Sequence, residues 1–431
     1  MVKKILFLLL ILLAAVNFSF NSNSPEGNTI QIFSEDGAWC WFSDPRAVYH
    51  KGDHERTYAG YVTSTGDITI SYYDHQTGEK KEVVIYPELQ RDDHVNPSLL
   101  FLPDGRLMAF FTRHNGGFYF TRTKSSEDIT EWEDVGYLDL GPRLCYTNPA
   151  MLSAEDNRIY VYLRGGYDWK PTMIYSDDLG ETWSKPLTMV AHEGAPDSNR
   201  PYTKVVSDGR SKVWFAITDG HPNVEPLNSI YVFYYEDNHL YQVDGTLLGH
   251  IDDCPILQSS IMKAYDGEQN KARCWIWDLA VDDRGFPRIT YASLREETMH
   301  LYYYASWNGV SWQQTRITPA GQDFPREERT KEQRNREPFY SGGVVLDPEK
   351  EGIVYYSRPV GDRFEIFKGE LSDGKWEETP ITQGSEFDNV RPFVARYSRS
   401  GNYPRLFWMA NRMYQHWATY DTFLLMDLSG H

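Results

Sequence analysis

The sequence predicts an all-β fold, a single seven-bladed β-propeller, from a repeat of fixed period, turn residues between strand-like runs, and the lack of a long helical pattern. Pro97, Pro149 and Pro201 take the same place in three successive repeats and are spaced 52 residues apart. Each proline is followed by a short strand-like run, a turn rich in Asp, Asn or Gly, and a second run. A period of about 50 residues with four strands per repeat is typical of propeller blades.

Four further repeats bring the predicted number of blades to seven. One lies before the three proline repeats, and three follow them. The paired runs that define these repeats are residues 39–49 with 57–73, 275–280 with 288–293, 340–346 with 352–357, and 389–392 with 406–409. We therefore expect one closed β domain rather than two separate domains, since closed β architectures form long single units.

A turn motif supports the same fold. Residues 176–183, SDDLGETW, fit the S-x-D-x-G-x-T-W pattern of the Asp-box hairpin. Residues 307–312 and 372–376 look like degenerate copies. The motif fixes a turn between outer strands, so we expect a structural role for it and no catalytic one.

The N-terminus has the composition of a secretory signal peptide. Lys3 and Lys4 precede an apolar run over residues 5–16, which is too short to span a bilayer comfortably. We assign residues 1–22 to the signal peptide and residues 23–431 to the propeller. The mature protein is therefore expected to be periplasmic or secreted, and we expect a monomer.

The composition excludes some partners and favours others. The net charge of -18 argues against nucleic acid and anionic membranes as partners. Aromatic residues make up 15% of the chain, which suits both strands and sugar-binding surfaces. Four cysteines are too few for a disulfide scaffold in a chain of this length. Buried unpaired thiols are one interpretation of them.

The repeat places a set of polar residues at one mouth of the predicted central channel. In each repeat the first two strands form a hairpin, so the start of the first strand and the end of the second lie at the same end. Histidine, tyrosine and arginine occupy these positions. They are His94, Arg113, His114, Tyr146, Arg164, Arg200, Tyr202, His221 and Arg391.

This combination of residue types suits β-elimination on a uronate. The reaction needs a base near neutral pKa, an acid for the leaving oxygen and a cation for the carboxylate. Histidine has an ordinary pKa of ~6.5 and tyrosine of ~10, and arginine pairs with a carboxylate in a bidentate way. The alternative is structural: a histidine at a strand end is often part of the packing, and Arg164 and Arg391 could hold blades together.

Five segments of the chain resemble the BNR-4 repeat family. They are GAWCWFSDPRA at 37–47, YAGY at 58–61, DDHVNP at 92–97, TDGHP at 218–222 and YSGG at 340–343. The family includes propeller polysaccharide lyases, namely ulvan lyases and L-rhamnose-α-1,4-D-glucuronate lyases. The resemblance therefore implies cleavage of a rhamnosyl-α-1,4-glucuronate linkage in a uronate-containing polysaccharide or oligosaccharide.

The resemblance also implies roles for individual residues. The family's catalytic histidines stand about 20 residues apart, as His94 and His114 do. Its tyrosine and arginine look like Tyr146 and Arg164, although Tyr202 or Tyr241 could take the tyrosine role. The residues that we expect to bind substrate are Arg113, Arg200, Tyr202, Tyr241 and Arg391.

A structural metal is a further implication of the resemblance. Some of the related lyases carry one, while the elimination itself needs no cofactor. Here Asp219, His221, Cys254 and Cys274 could supply oxygen, nitrogen and sulfur ligands to zinc, or the site could take calcium. The spacing of the four residues is irregular.

Two other functions compete with the lyase. A sialidase-like glycoside hydrolase would need two carboxyl groups at the site, for which Asp92 and Asp93 are the nearest candidates. Such sialidases carry a Phe-Arg-Ile-Pro motif, and this chain has Asp44-Pro45-Arg46 in that region. A non-catalytic propeller that binds glycans is the third possibility, which the aromatic content allows.

Overall fold

The seven predicted blades are present as separate antiparallel sheets. The computed structural model describes residues 29–165, 169–192, 200–222, 224–296, 299–321, 342–397 and 406–429. Within these ranges the sheets follow one another along the chain, each built from neighbouring strands. The predicted seven-bladed β-propeller is confirmed. The proposed signal peptide, residues 1–22, lies outside the described residues.

Blades 1 to 3 contain the histidine, tyrosine and arginine positions on which the sequence prediction depends. Blade 1 is formed by Ala47–Lys51, Glu55–Val62, Ile68–Asp74 and Lys80–Tyr86. Blade 2 is formed by Ser98–Phe101, Leu107–Thr112, Phe118–Ser125, Asp128–Trp132 and Gly136–Leu138. Blade 3 is formed by Cys145–Leu152, Arg158–Gly165, Lys170–Ser176 and Leu187–Thr188.

Blades 4 to 6 continue the same order of strands. Blade 4 is formed by Thr203–Ser207, Lys212–Thr218, Ile230–Glu236, His239–Gln242, Leu247–His250 and Lys263–Tyr265. Blade 5 is formed by Arg273–Val281, Pro287–Glu296, Met299–Trp307 and Trp312–Gly321. Blade 6 is formed by Val344–Leu346, Ile353–Val360, Arg363–Ser372 and Lys375–Pro380.

Blade 7 joins the two ends of the described chain. Its strands are Asp388–Val394, Leu406–His416, Thr419–Asp427 and, from the N-terminal side, Ile30–Ser34. Ile30 lies opposite Asp427 in this antiparallel pair. The first described strand pairs with the last, which closes the ring of blades. Backbone hydrogen bonds therefore hold both ends of the described chain in blade 7.

Short elements complete the described structure. Val190–Ala191 pairs in parallel with Ile256–Leu257 between blades 3 and 4. The helical segments are the α-helix Gly267–Asn270 and the 3₁₀ helices Asp93–Val95, Ser153–Glu155, Ile251–Asp253 and Gln258–Ser260. In the described part of the chain, no helix is long and apolar enough to cross a membrane.

The aligned prolines all lie at the inner strands, and two of the three precede them as predicted, whereas Pro149 is the fifth residue of its strand. Pro97 directly precedes the first strand of blade 2, Pro149 lies in the first strand of blade 3, and Pro201 stands two residues before that of blade 4. Cys145 pairs with Arg164 at the end of the blade 3 hairpin. The start of the first strand and the end of the second therefore share one end of the propeller.

The Asp-box has the structural role that its sequence indicates. The Asp178 carboxylate accepts hydrogen bonds from the Thr182 amide at 2.8 Å and hydroxyl at 2.6 Å. The Ser176 hydroxyl accepts from the Gly180 amide at 2.8 Å. Hydrogen bonds from Thr182 lower the pKa of Asp178 to about 2. The motif thus closes the turn between the third and fourth strands of blade 3, away from the inner hairpins.

Neighbouring blades pack through apolar side chains. Between blades 1 and 2, Tyr58 and Ile70 pack with Leu99, Leu107 and Ala109, all of them fully buried. Burying one large apolar side chain contributes roughly 1.5–3 kcal/mol. Repetition of such contacts around the ring fixes the angle between blades, and with it the spacing of the residues at the channel mouth.

A segment between the first two described strands fills the channel. Cys40, Trp41 and Phe42 are buried although they lie outside any strand. Asn96 accepts a hydrogen bond from the Cys40 amide at 3.0 Å, and Asn148 donates one to the Phe42 carbonyl at 3.0 Å. These asparagines precede Pro97 and Pro149, so the repeated Asn-Pro pair holds the segment inside the ring.

Candidate active site

Two histidines lie stacked at one mouth of the channel. His94 is in the 3₁₀ turn Asp93–Val95 before the first strand of blade 2, and His114 follows the second strand, Leu107–Thr112. Their ring centroids are 4.3 Å apart with an interplanar angle of 15°. The side chains are 19% and 20% exposed, so both rings are reachable from the channel. The structure therefore brings His94 and His114 together, and a catalytic role for the pair stays a prediction.

A single carboxylate holds both rings. The Nδ1 atoms of His94 and His114 each lie 2.8 Å from a different oxygen of Asp92. Asp92 also caps the 3₁₀ turn by accepting from the His94 amide at 3.0 Å. Because an ionised carboxylate only accepts, both Nδ1 atoms carry a proton and donate it. Among the described residues, neither Nε2 atom has a hydrogen-bond partner.

The two histidines have opposite pKa shifts. Burial opposes the charged form of His94, but the carboxylates of Asp92 and Asp93 raise its pKa well above the ordinary value. Burial and the nearby charge of His94 lower the pKa of His114, against the opposing effect of Asp92. At neutral pH the arrangement therefore holds a cationic His94 beside a neutral His114.

A second ion pair lies directly behind His94. Asp93 Oδ2 is 2.7 Å from Arg391 Nη1 and accepts a hydrogen bond from the Tyr414 hydroxyl. Arg391 also donates to the Trp39 carbonyl at 2.7 Å and to the Tyr414 hydroxyl at 2.8 Å. Burial would raise the pKa of Asp93, but the Arg391 guanidinium lowers it below the ordinary range. Asp93 is thus held as a buried carboxylate.

These contacts decide between two interpretations of Arg391. The side chain is 2% exposed, and its guanidinium is occupied by protein groups. Its substrate-binding role, predicted from position alone, is not what these contacts support. They support the alternative, in which Arg391 joins blade 7 to the turn that carries His94.

Tyr146 approaches the histidines through a strained backbone. It stands at the second residue of the first strand of blade 3, where the pairing shifts in register, and its φ is +62°. Such a φ in a non-glycine residue costs of order 1–3 kcal/mol, and a bulge redirects the side chain. The Tyr146 and His94 ring centroids are 5.8 Å apart. Burial raises the pKa of Tyr146 well above its ordinary value, so the hydroxyl keeps its proton.

Arg164 lies against two tyrosine rings. Its guanidinium carbon is 4.8 Å from the ring centroid of Tyr146 and 4.2 Å from that of Tyr202. It is buried, and among the described residues its Nε and Nη1 atoms have no hydrogen-bond partner. A buried cation with free donors is costly unless a ligand pairs with it. A carboxylate would satisfy these two donors, both of which are covered from solvent in this structure.

Trp417 closes one side of the histidine pair. Its ring meets His94 edge-on at 5.8 Å and His114 at 6.1 Å between centroids. Its carbonyl accepts a hydrogen bond from the Asp93 amide at 3.0 Å. Trp417 lies in the turn between the second and third strands of blade 7, so blades 7 and 2 meet at this site.

The remaining predicted substrate-binding residues are spread over several places. Arg113 and Arg200 are exposed at the ends of strands near the histidines, and Tyr202 joins Tyr146 at 5.8 Å between ring centroids. Tyr241 lies on the fourth strand of blade 4 and stacks on Tyr234 at 5.1 Å. The structure therefore groups Tyr202 with the site and places Tyr241 on an outer strand.

The four predicted metal ligands have other contacts. Asp219 accepts from the Tyr231 hydroxyl at 2.9 Å and the Gln258 amide at 3.0 Å, and the Cys274 thiol donates to the Asn228 carbonyl at 3.1 Å. In the ranges that the structure covers, these two with His221 and Cys254 do not form a group of converging ligand atoms. The zinc or calcium site stays a prediction without geometric support.

Another group gathers instead. Ligand atoms of Asp92, His94 and His114 lie within 4.8 Å of one another. Their Nδ1 atoms already donate to Asp92, and the two rings are stacked rather than convergent. This group is therefore better described as a hydrogen-bonded pair of histidines than as a metal centre.

Sequence reasoning missed the residues that connect the predicted ones. The sequence presents Asp92 only as a candidate hydrolase carboxylate and assigns no role to Trp417 or Tyr414. The signal for Asp92 was its position two residues before His94, where an aspartate caps a turn. No signal in the repeat points to Trp417 and Tyr414, because they reach blade 2 only when the ring closes.

Comparison with known proteins agrees with this fold. The model of the BNR repeat-containing family, BNR_4, matches residues 56–320. The structure of the PL25 ulvan lyase, described as a new family of polysaccharide lyase, has a TM-score of 0.70 at 14% identity. The match covers 91% of this chain and 94% of that chain. The same lyase bound to -[GlcA(1-4)Rha3S]- gives a TM-score of 0.68 with the same identity and coverage.

A second lyase shares the fold at a greater distance. The polysaccharide lyase Uly1 has a TM-score of 0.54 at 10% identity, with 92% of this chain and 97% of that chain covered. No curated protein matches the chain. The likeness to the solved structures shows the propeller fold. Because the family model matches more than half of the sequence, this chain belongs to the BNR repeat-containing family, BNR_4.

Proposed function

We propose that the protein is a polysaccharide lyase that cleaves a rhamnosyl-α-1,4-glucuronate linkage by β-elimination. The observation that carries this proposal is the sharing of Asp92 by two stacked histidines of opposite pKa shift. Beside them lie a protonated tyrosine, Tyr146, and a buried arginine with free donors, Arg164. Base, acid and cation are the three groups that elimination from a uronate requires.

The neutral histidine is suited to remove the proton. His114 donates from Nδ1 to Asp92, so Nε2 has a lone pair directed away from the carboxylate. Its lowered pKa keeps it unprotonated at neutral pH. In this proposal His114 Nε2 takes the proton from C5 of the glucuronate, and the electrons of that bond form the C4–C5 double bond.

The tyrosine is suited to protonate the leaving group. Burial raises the pKa of Tyr146, so its hydroxyl is a proton donor rather than a tyrosinate. When the bond between C4 and the glycosidic oxygen breaks, that oxygen takes the proton from Tyr146. The products are an unsaturated uronate and a free rhamnosyl end. His114 then releases its proton to solvent and Tyr146 takes one up, so both groups return to their starting states.

Two cations stabilise the negative charge that forms on the carboxylate. The Nε and Nη1 atoms of Arg164 can donate to the two oxygens of the uronate carboxylate, which fits the bidentate geometry of arginine. His94 is held as a cation by Asp92 and Asp93 next to the base. Donors fixed in place before the reaction stabilise this charge without the cost of reorganisation.

The hydrolase alternative is less well supported. It requires a carboxylic acid with a raised pKa and a second carboxylate. Asp92 is occupied by two histidines and Asp93 by Arg391, and the pKa of each carboxyl is lowered by these neighbours despite burial. Neither carboxyl is then suited to protonate a glycosidic oxygen at neutral pH.

The likeness to ulvan lyases supports the choice of substrate without deciding it. The PL25 ulvan lyase that shares the fold has been determined with a glucuronate-rhamnose-3-sulfate ligand. The identity of 14% leaves the polysaccharide to be established by experiment. We extend the proposal to an exported monomer, on the N-terminal signal pattern and on the extracellular location of such polysaccharides.

The absorbance of the product tests this proposal. The protein without residues 1–22 is incubated with ulvan, gum arabic and pectin fragments, and absorbance is followed near ~235 nm, where the unsaturated uronate absorbs, while reducing ends are measured in parallel. Elimination and hydrolysis both release reducing ends, but only elimination forms the chromophore. Reducing ends without the chromophore would favour the hydrolase, and neither signal would favour a glycan-binding propeller.

A further inference from the structure

Three arginines without a carboxylate partner lie around the histidine pair. Arg113, Arg143 and Arg200 form no ion pair with any described residue, in a chain with a net charge of -18. Arg113 directly precedes His114, Arg143 stands two residues before the first strand of blade 3, and Arg200 stands three before that of blade 4. Positive charge is thus concentrated at one mouth of an otherwise acidic protein.

Trp169 fixes two of these arginines. The guanidinium carbons of Arg143 and Arg200 each lie 4.0 Å from the centroid of the Trp169 ring. The indole Nε1 donates a hydrogen bond to Asn115 Oδ1 at 2.8 Å, which fixes the ring itself. Two like charges on one aromatic ring repel each other unless an anion lies between or beside them. The ring therefore holds two guanidinium groups ready for an anion.

The hydrogen bond of Trp169 places this pair of arginines next to the catalytic groups. Asn115 directly follows His114. Its backbone amide donates a hydrogen bond to Sγ of Cys145 at 3.3 Å, and Cys145 directly precedes Tyr146. The arginine pair is separate from Arg164, which is buried against Tyr146 and Tyr202. An oligosaccharide with one uronate at the histidines would therefore have a neighbouring sugar close to this pair of arginines.

We propose that Arg143 and Arg200, held by Trp169, form a second anion subsite. It would bind an oxyanion group, a sulfate ester or a second carboxylate, on the sugar next to the one that is cleaved. This inference rests on the proposed function for the placement of the oligosaccharide, but anion binding at the three residues does not depend on catalysis. Both guanidinium groups lie against the indole, so the subsite recognises charge rather than a sugar ring.

Affinity electrophoresis tests anion binding independently of any activity. Wild-type protein, Arg143→Ala, Arg200→Ala and the double variant are run in gels with and without dextran sulfate. Arg210→Ala is the matched control, because Arg210 is also exposed but lies in the turn at the other end of blade 4. We expect retardation of wild type and of Arg210→Ala, and a loss of about 10-fold or more in affinity for each subsite variant.

Defined tetrasaccharides then identify the anion. Binding of wild type and the double variant is measured by calorimetry with sulfated rhamnosyl-glucuronate, its desulfated form and oligoglucuronate. If the subsite binds sulfate, the double variant should lose affinity only for the sulfated compound. If it binds a carboxylate, the double variant should lose affinity for oligoglucuronate. In turnover the defect should appear in KM rather than kcat, and it should shrink as salt is added.

The failures of the two proposals are distinguishable. If wild type and the double variant are retarded equally by dextran sulfate, or if wild type is not retarded at all, the anion subsite is wrong whatever the activity. If the retardation depends on Arg143 and Arg200 but no uronate substrate yields the 235 nm product, the lyase proposal fails while the subsite stands. Trp169→Ala adds a check on position, since it keeps both charges and should still weaken binding.

Discussion

His94 and His114 form a stacked pair whose ring centroids are 4.3 Å apart, bridged by the two oxygens of Asp92. Two imidazolium ions at this distance would repel each other strongly in a partly buried site. The single negative charge of Asp92 therefore stabilises one cation, and the opposite pKa shifts of the two rings follow from that. The proposed chemistry depends on this difference, in which His94 is the cation and His114 is the neutral base.

The pH profile of kcat/KM should be broad. Since the pKa of His114 is lowered, activity should decline in acid only below the ordinary histidine value of ~6.5. Since the pKa of His94 is raised, the alkaline decline should begin only above that value. The two limbs belong to the coupled pair rather than to single residues. A rate that already falls as the pH drops through neutrality would contradict this assignment.

Stability should depend on pH through the same groups. The raised pKa of His94 contributes stability that is fully present below ~6.5 and is lost as pH rises through its higher folded pKa. The lowered pKa of Asp92 contributes stability that is present above ~3.9 and is lost as pH falls through its folded pKa. Thermal melts of His94→Gln should therefore lose the alkaline part of this dependence.

Removing the bridge should change both rate and pH profile. We expect Asp92→Asn to lower kcat by about 10²–10⁴-fold, because neither ring is then held with Nδ1 protonated. The alkaline limb should also move to lower pH, since the carboxylate that raises the pKa of His94 is gone. Asp104→Asn in the opposite turn of blade 2 is the control. If Asp92→Asn has the same pH profile as wild type, Asp92 has only a structural role.

The repeat allowed the fold and part of the site to be predicted. Pro97, Pro149 and Pro201 mark the inner strands, and their period places His94, His114, Tyr146 and Arg164 at one end of the blades. The period gives no information about contacts that cross from blade 7 to blade 2, and Trp417 was missed for that reason. Tyr241, which only the family resemblance suggests, lies on the fourth strand of blade 4, away from the repeat positions that meet at the site.

The tyrosine role can be decided between two neighbours. Tyr146→Phe should lower kcat by about 10²–10⁴-fold with a small change in KM, because only the proton donor is removed. Tyr202→Phe is the matched control, since Tyr202 contacts Arg164 and lies 5.8 Å from Tyr146 between ring centroids. Loss of turnover in Tyr202→Phe with activity kept in Tyr146→Phe would assign the acid to Tyr202.

Arg164 should be sensitive to geometry as well as charge. Arg164→Lys keeps the cation but loses the two parallel donors, so kcat/KM should fall by about 10²-fold or more on the uronate substrate. Stability should change little, because Arg164 forms no ion pair with a described carboxylate, and the change therefore leaves no buried charge without its partner. Steady-state kinetics with thermal melts checks both parts. Activity near that of wild type in Arg164→Lys would contradict the carboxylate role.

Arg391 should show the reverse pattern. Arg391→Met leaves the Asp93 carboxylate buried without its guanidinium partner, and breaking such a pair costs about 3–5 kcal/mol in the free energy of unfolding. The double variant Arg391→Met with Asp93→Asn removes both charges, so it should recover much of that stability. Denaturant unfolding of wild type, both single variants and the double variant gives the coupling energy directly. The Asp93 carboxylate also raises the pKa of His94. The double variant should therefore recover stability, but its activity should begin to decline at a lower alkaline pH than that of wild type. Additive effects of the two changes would mean that Arg391 acts through other contacts, such as its hydrogen bond to the Trp39 carbonyl.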